Sequence, residues 1–227
     1  MKLALVVINY NYSQYLEPCL KSIKHQTRQP DILIAVDDCS TDDSVEVLNK
    51  QDIVKFDAVL NNPYNAGVCF TRNAGLSKAL ELGATHMIYL DADDVLADPN
   101  YIMVLEATMA QTGADVIYTD CQLFGTSDEY IEYPEWDEGI FKVRNFVHVS
   151  ALHKINPDIK WNEWMINGME DYLYFIDYWS KGAKFAKAKN TGLHYRRHQN
   201  SSLTRDIQND RISIAKKQIK ILHPEVL

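Results

Sequence analysis

The sequence predicts an α/β domain built on a mostly parallel sheet with helices on both faces. Continuous apolar runs occupy residues 3–8, 32–36 and 87–90, which is typical of strands buried on both faces. Segments with apolar residues at helical spacing, such as 16–23 and 102–109, lie between these runs. This alternation predicts parallel strands joined by helical crossovers. Ligands bind beyond the carboxyl ends of such strands, so functional residues are expected there.

The first half of the chain completes this pattern with further strands and helices. Strands are also predicted at residues 56–60 and 116–124. Helix starts are indicated by Ser40, which acidic residues follow, by Thr71, and by Pro99, because proline suits the first helical position.

The second half, from about residue 130, changes to short irregular segments rich in aromatic residues. A helix is predicted to begin at Glu170 and to run to about Ser180, followed by short strands near Phe185 and residues 193–195, and by a terminal helix. No repeat and no linker-like stretch interrupts the chain. We therefore predict one domain, 1–227, with halves at 1–125 and 126–227.

Composition restricts the class of protein. The chain is 46% hydrophobic and 24% charged, as in ordinary globular domains, and its net charge of −8 argues against nucleic-acid binding. No apolar stretch is long enough to span a bilayer, and the run at 3–8 is too short for a signal peptide, so a cytoplasmic location is expected. The four cysteines contain no CxxC pair, so we expect reduced thiols rather than a zinc site or disulfides.

An acidic cluster, Asp91-Ala92-Asp93-Asp94, follows the strand at 87–90. Three carboxylates this close repel one another unless a cation is present, and Mg²⁺ or Mn²⁺ prefers carboxylate oxygen. The alternative is a solvated acidic turn that caps the next helix, although Asp98 already suits that role.

An acidic pair, Asp37-Asp38, ends the second strand. Side chains alternate along a strand, so the two carboxylates face different directions. One of them, in the crevice at the strand end, is suited to accept a hydrogen bond from the imide N–H of uracil. Two carboxylates that cap the following turn are an equally good interpretation.

Taken in order, these motifs resemble those of family 2 glycosyltransferases of the GT-A fold, over nearly the whole chain. The matching segments are 6–11 (VVINYN), 36–42 (VDDCSTD), 65–73 (NAGVCFTRN), 89–94 (YLDADD), 169–171 (MED) and 194–198 (HYRRH). The Gln-x-x-Arg-Trp motif of processive synthases is absent, which favours one sugar per encounter.

The resemblance implies metal-dependent, inverting transfer of a hexose from a UDP-sugar, UDP-glucose or similar, to an acceptor hydroxyl on a glycan or another molecule. Asp93 would hold Mn²⁺ or Mg²⁺ and the diphosphate, Asp91 would contact ribose or a metal-bound water, and His198 would complete the metal shell or touch the diphosphate. Arg72 would approach the diphosphate or brace Asp91 and Asp93. The remaining residues implied for the nucleotide-sugar are Ile8, Asn9, Tyr10, Asp38, Asn65, Gly67 and Ala92.

The acceptor side is implied to lie in 126–227, with 1–125 as the nucleotide-sugar half. Asp171 would remove the proton of the acceptor hydroxyl, and Glu170 would share that role or bind the acceptor. At a helix start, the helix dipole is expected to keep Asp171 ionised, although an ordinary helix cap explains the same position. Residues expected to bind the acceptor are Trp161, Trp164 and Asn167, with burial of the tryptophans in the core as the alternative.

Rival interpretations and peripheral segments complete the predictions. A sugar-nucleotide pyrophosphorylase should have a glycine-rich cationic loop after the first strand, where residues 9–13 have neither glycine nor cation. A non-catalytic nucleotide-binding domain is the other alternative.

Residues 199–204 form either a loop that closes over the nucleotide or a plain linker. The lysines Lys216, Lys217 and Lys220 favour a solvated helix face over contact with a membrane.

Overall fold

The structure, a computed structural model, describes residues 1–165, 168–199 and 211–227. Eight strands in these ranges form one sheet. They are β1 (Leu3–Asn9), β2 (Ile32–Asp37), β3 (Ala58–Asn61), β4 (His86–Asp91), β5 (Val116–Gly125), β6 (Tyr130–Ile131), β7 (Leu152–Lys154) and β8 (Phe185–Arg197). The described helices are α1 (Ser13–Lys24), α2 (Ser44–Lys50), α3 (Val68–Glu81), α4 (Tyr101–Thr112), α5 (Glu138–Phe141), α6 (Glu170–Ser180) and α7 (Arg211–Leu222).

The sheet has the strand order β3-β2-β1-β4-β7-β5-β6, and β8 pairs with β5. The pairs β1–β2, β1–β4, β2–β3 and β5–β8 are parallel, whereas β7 runs antiparallel to β4 and β5. The central strands end in register, because Asn9 lies opposite Asp37 and Ile8 lies opposite Asp91. This register brings the polar residues after three strands to one edge.

Two apolar layers cover the faces of the sheet. In β1, Ala4, Val6 and Ile8 pack into one core cluster and Leu3, Leu5 and Val7 into the other, which is the alternation expected of a strand buried on both sides. The predicted mostly parallel α/β domain is therefore confirmed. None of the described helices has the length and apolarity needed to span a bilayer.

Helix α3 crosses β1 so closely that Gly75 has no room for a side chain. A Cβ atom at Gly75 would lie 2.5 Å from Val6 Cγ1. We therefore expect Gly75→Ala to lower the free energy of unfolding by about 1–3 kcal/mol through overpacking, against the usual gain from alanine in a helix. Urea unfolding measures the change. Ser77→Ala, at an exposed position of the same helix, should change stability by less than about 0.5 kcal/mol. Equal stabilities of the two variants would contradict the close approach.

Three helix starts differ from the sequence prediction. Helix α3 begins at Val68 rather than at Thr71, and α4 begins at Tyr101 rather than at Pro99. Helix α2 begins at Ser44, because Ser40 serves the preceding loop instead of capping a helix. The backbone N–H and hydroxyl of Ser40 donate to the Asp37 carboxylate at 2.8 and 2.6 Å.

Near the end of the chain, the two short predicted strands are one long strand, β8. Its pairing with β5 shifts register between Tyr118 and Asp120, and this irregularity separates the two apolar segments in the sequence. The helix predicted to begin at Glu170 is confirmed as α6. The division into functional halves at residue 125 stays a prediction.

Candidate active site

The carboxyl ends of β1, β2 and β4 meet the start of α6 and the end of β8 at one edge of the sheet. Arg72 of α3 lies at the centre of this edge and is 2% exposed. Its guanidinium donates to both oxygens of Asp91 at 3.2 and 3.1 Å, and to Oε1 of Glu170 at 3.1 Å. Arg72 is thus a buried bridge between the end of β4 and the start of α6, and not a solvated helix residue.

Aromatic side chains hold Arg72 in place. Its guanidinium lies 4.5 Å from the centre of the Trp161 ring. The Trp161 indole N–H donates to the hydroxyl of Tyr89 at 3.0 Å, and that hydroxyl donates to the Arg72 carbonyl at 3.2 Å. Trp161 also stacks on Tyr174 at 4.1 Å. The prediction that Trp161 binds an acceptor is therefore wrong in this structure, because its indole is buried in the core beneath Arg72.

The three clustered carboxylates do not converge on one point. Asp91 pairs with Arg72. Asp94 is fully buried and accepts from the backbone N–H of Arg196 at 2.8 Å, and its burial, with Asp93 nearby, raises its pKa well above the usual value. Asp93 alone meets His198, with its Oδ2 3.1 Å from Nε2 of the imidazole. Each carboxylate thus has a different partner, but the expected repulsion persists, since Asp93 contributes to the raised pKa of both Asp91 and Asp94.

Asp93 and His198 form the pair best suited to a divalent cation. Carboxylate oxygen and imidazole nitrogen are common ligands, and the two side chains are 10% and 12% exposed. In the described part of the chain, no group of three or more His, Cys, Asp or Glu side chains is arranged as a metal site. The described residues therefore offer two ligands here, and a bound phosphate or water could supply others.

An aromatic and cationic cluster surrounds His198, and the sequence analysis assigned it no role. The imidazole lies 5.6 Å from the Tyr12 ring and 5.1 Å from the Tyr15 ring. Arg196 lies between Tyr15, at 4.6 Å, and Phe124, at 4.2 Å, and its Nε donates to the Asp93 carbonyl at 2.7 Å. The sequence did contain a sign of this cluster. Arg196 and His198 are two residues apart at the end of a strand, and side chains at that spacing point to the same face.

Glu170, the first residue of α6, is occupied by partners on both carboxylate oxygens. Oε1 accepts from Arg72, and Oε2 accepts from the backbone N–H groups of Gly168 at 2.9 Å and Met169 at 3.2 Å. Burial opposes ionisation, but Arg72 and these N–H groups hold the pKa of Glu170 below its usual value. The prediction that Glu170 shares in catalysis is corrected, because this carboxylate anchors the turn before α6. Met169 has a φ of 139°, a strained backbone for a non-glycine residue.

Asp171 lies beside this anchored turn and is partly exposed. Burial, followed by the neighbouring Glu170 carboxylate, raises its pKa to about 7, against the opposing effects of Arg72, the Tyr172 N–H and the Asn145 side chain. The helix dipole was expected to favour the ionised form of Asp171, whereas burial and Glu170 favour the protonated form. A carboxyl group with this pKa exchanges protons near neutral pH, as a general base must.

Asp37 and Asp38 both serve the loops at the strand ends. Asp38 is 4% exposed and accepts from Asn62 at 2.8 Å and from the backbone N–H groups of Ala66 and Gly67 at 2.9 Å. Asp37 accepts from the Asn9 amide at 2.7 Å. The turn-capping interpretation therefore describes this conformation, and the contact of Asp38 with uracil stays a prediction.

The other predicted nucleotide-sugar residues divide by exposure. The side chains of Ile8 and Ala92 are buried in the two core clusters, so only their backbone is left for the predicted contact with nucleotide, which stays a prediction. Tyr10 and Asn65 are exposed beyond the strand ends. Gly67 precedes α3 with a φ of 88° and open space around its Cα, so a ligand can approach its backbone.

On the acceptor side, Trp164 is 91% exposed. Asn167 and the loop after Gln199 lie outside the described residues, so their roles stay predictions.

Known proteins were compared with the chain and with this fold. The family model described as Glycosyl transferase family 2 matches residues 4–167. The teichoic acid poly(glycerol phosphate) polymerase of Staphylococcus epidermidis is 36% identical over 107 residues, which are 46% of this chain but only 14% of that protein.

Two solved structures share the fold at low sequence identity. The crystal structure of residues 1–349 of S. aureus TarS in complex with UDP-GlcNAc has a TM-score of 0.74 at 18% identity, and the match covers 90% of this chain and 61% of that one. The mannosyltransferase PcManGT of Pyrobaculum calidifontis, in complex with GDP-Man and Mn²⁺, also has a TM-score of 0.74, at 13% identity, covering 96% of this chain and 64% of that one. Because the family model covers most of the sequence, this chain belongs to glycosyltransferase family 2.

Proposed function

We propose that the protein is an inverting glycosyltransferase that moves a hexose from a UDP-sugar to an acceptor hydroxyl. The observation that carries this proposal is the double ion pair of Arg72. It joins Glu170, the neighbour of Asp171 at the start of α6, to Asp91 at the end of β4. Family membership supports the reaction class. The UDP-GlcNAc bound to TarS supports a uridine donor, and the GDP-Man bound to PcManGT makes guanosine the second candidate.

The donor would lie across the strand ends, between the exposed Tyr10 and Asn65 and the Asp93–His198 pair. Tyr10 has the aromatic face that a nucleobase stacks on. Gly67 lies at the N-terminus of α3, where backbone N–H groups favour anionic groups, and its own N–H already donates to Asp38. Arg72 is neutralised by two carboxylates, so its role is to fix the site geometry rather than to bind the diphosphate directly.

Asp93 and His198 would hold Mn²⁺ or Mg²⁺, which when bound offsets the negative charge of the diphosphate leaving group. The protein supplies the other half of the reaction at Asp171. Its raised pKa, about 7, lets this carboxylate exchange a proton near neutral pH and accept the proton of the acceptor hydroxyl. The hydroxyl oxygen then attacks the anomeric carbon on the face opposite the leaving diphosphate, which inverts its configuration.

The acceptor would enter on the side of α6 and Trp164. The exposed indole offers a flat apolar face of the kind that sugar C–H groups contact. We propose a glycan or another hydroxyl-bearing molecule as acceptor, with residues 126–227 as the acceptor half.

Calorimetric titration with UDP tests the donor site. We expect UDP to bind in the presence of Mn²⁺ and to bind at least about 10-fold more weakly in EDTA, because loss of the cation leaves the diphosphate beside Asp93 uncompensated. Asp93→Ala should produce the same loss in the presence of Mn²⁺. Asp98→Ala, outside the proposed site, is the matched control and should bind as the wild type does.

Other outcomes of the titration have distinct meanings. Binding of GDP in place of UDP would retain the enzyme class and change the donor. Failure to bind any nucleoside diphosphate, with or without metal, would contradict the proposed transferase function.

A further inference from the structure

Helix α7 has two apolar faces, of which only one packs against the protein. Ala215 and Ile219 are buried and attach the helix to the core. Away from that face Ile214 and Ile221 are exposed, with Ile221 exposed to 78%, and Leu222, the last residue of the helix, is exposed as well. An amphipathic helix that serves only to cover a domain has polar residues on its outer face. The outer isoleucines therefore indicate a contact with something besides the domain.

The charge of α7 is opposite to that of the protein. The helix contains the cations Arg211, Lys216, Lys217 and Lys220 and no acidic residue, although the chain as a whole has a net charge of −8. Lys220 donates to the backbone oxygens of Val226 and Leu227 at 3.3 and 2.9 Å, whereas Lys216 and Lys217 are exposed. An anionic partner is therefore complementary in charge to this helix.

The most exposed tryptophan lies beside the same helix. Gln218 of α7 donates to the backbone oxygen of Trp164 at 3.2 Å, and the Trp164 side chain is 91% exposed. Aliphatic side chains, lysines and a tryptophan on one surface are the composition of segments that lie in the interface of a bilayer. A nucleic acid would match the lysines but would leave the isoleucines in water.

We propose that these residues form a membrane-docking surface that binds an anionic lipid bilayer. The α7 surface consists of Trp164, Ile214, Lys216, Lys217, Ile221 and Leu222. It adjoins the α6 side of the molecule, since His223, just after α7, contacts Asp177 of α6 at 2.9 Å. Docking would bring the acceptor side close to the bilayer, but the proposal requires no step of the proposed reaction.

Sedimentation of the full chain with vesicles tests the proposal. We expect binding to vesicles of equal parts phosphatidylglycerol and phosphatidylcholine, and little binding to phosphatidylcholine alone. Each neutralised lysine should lower the partition coefficient about fivefold, so Lys216→Glu/Lys217→Glu should lower it at least about 25-fold. Ile221→Ser should lower it about 10-fold by removing buried apolar area. Added salt should weaken binding, because it screens the charges.

A matched double variant separates a docking site from a simple effect of net charge. Lys21→Glu/Lys24→Glu changes the same charge on exposed positions of α1 and should bind vesicles nearly as the wild type does. Vesicles should also shift the tryptophan emission to shorter wavelength, and Trp164→Phe should remove that shift. Circular dichroism and UDP affinity should be the same in all these variants.

Three results would overturn the proposal. The first is an absence of binding to anionic vesicles, and the second is an equal loss in the two double-lysine variants. The third is a wild-type dimer in solution that Ile221→Ser converts to a monomer while vesicles bind neither form, because a second copy of the chain would then cover the α7 surface.

Discussion

Asp171→Asn is expected to reduce transfer about 100- to 10,000-fold while leaving UDP affinity unchanged. The amide has nearly the shape of the carboxylate but cannot accept the hydroxyl proton, so only the chemical step is lost. The rate is measured as UDP release from the donor in the presence of acceptor, and the affinity by calorimetry. The loss should lie in kcat, because the donor contacts are intact.

Asp177→Asn is the matched control, since Asp177 lies on the same helix and pairs with His223 rather than with a residue of the proposed site. This variant should retain wild-type turnover. Unchanged turnover in Asp171→Asn would exclude Asp171 as the base. Loss of UDP binding in that variant would show instead that the substitution disturbs the donor site.

Much of the fold was predictable because each of the strands β1, β2 and β4 is a continuous apolar run that can be recognised from neighbouring residues alone. Their alternation with helices fixes the parallel order, and the parallel order brings residues after each strand, such as Asp37 and Asp91, to one edge. The helix at Glu170 was also visible from local sequence. These are features that depend on neighbours along the chain.

The state of each site residue was less predictable, because it depends on partners far away in sequence. Asp171 looked ionised at a helix start, but its pKa is set by burial and by Glu170. Trp161 looked like a sugar platform, but it lies beneath Arg72, which is provided by α3. Asp38 was predicted to accept a hydrogen bond from uracil, but in the fold it accepts hydrogen bonds from the loop before α3.

These examples share one physical cause. A sequence pattern shows which polar groups are at a strand end, but it does not show which of them find a protein partner on folding. Buried polar groups almost always do find one. The groups left for a ligand are therefore those that remain after folding, here Asp93 with His198, Asp171, and the exposed Tyr10.

Arg72→Met should destabilise the fold and alter the pH dependence of catalysis together. Removing one partner leaves the Asp91 and Glu170 carboxylates without their cation, which should lower the free energy of unfolding by about 3–5 kcal/mol. Without Arg72 the pKa of Glu170 rises in the folded state above its unfolded value. The deficit should therefore be largest at neutral and higher pH and should shrink as the pH falls and both carboxylates become protonated.

The same substitution should move the pH profile of kcat to higher pH, because Arg72 lowers the pKa of Asp171 in the wild type and the variant lacks this effect. Ionised Asp171 is the active form, so activity rises with pH through about 7 in the wild type and through a higher value in the variant. Arg72→Lys keeps the positive charge and should give a smaller loss of stability and a smaller shift. A profile that stays in place in a folded Arg72→Met variant would show that Arg72 and the base are not coupled, and the bridge would then be a structural ion pair alone.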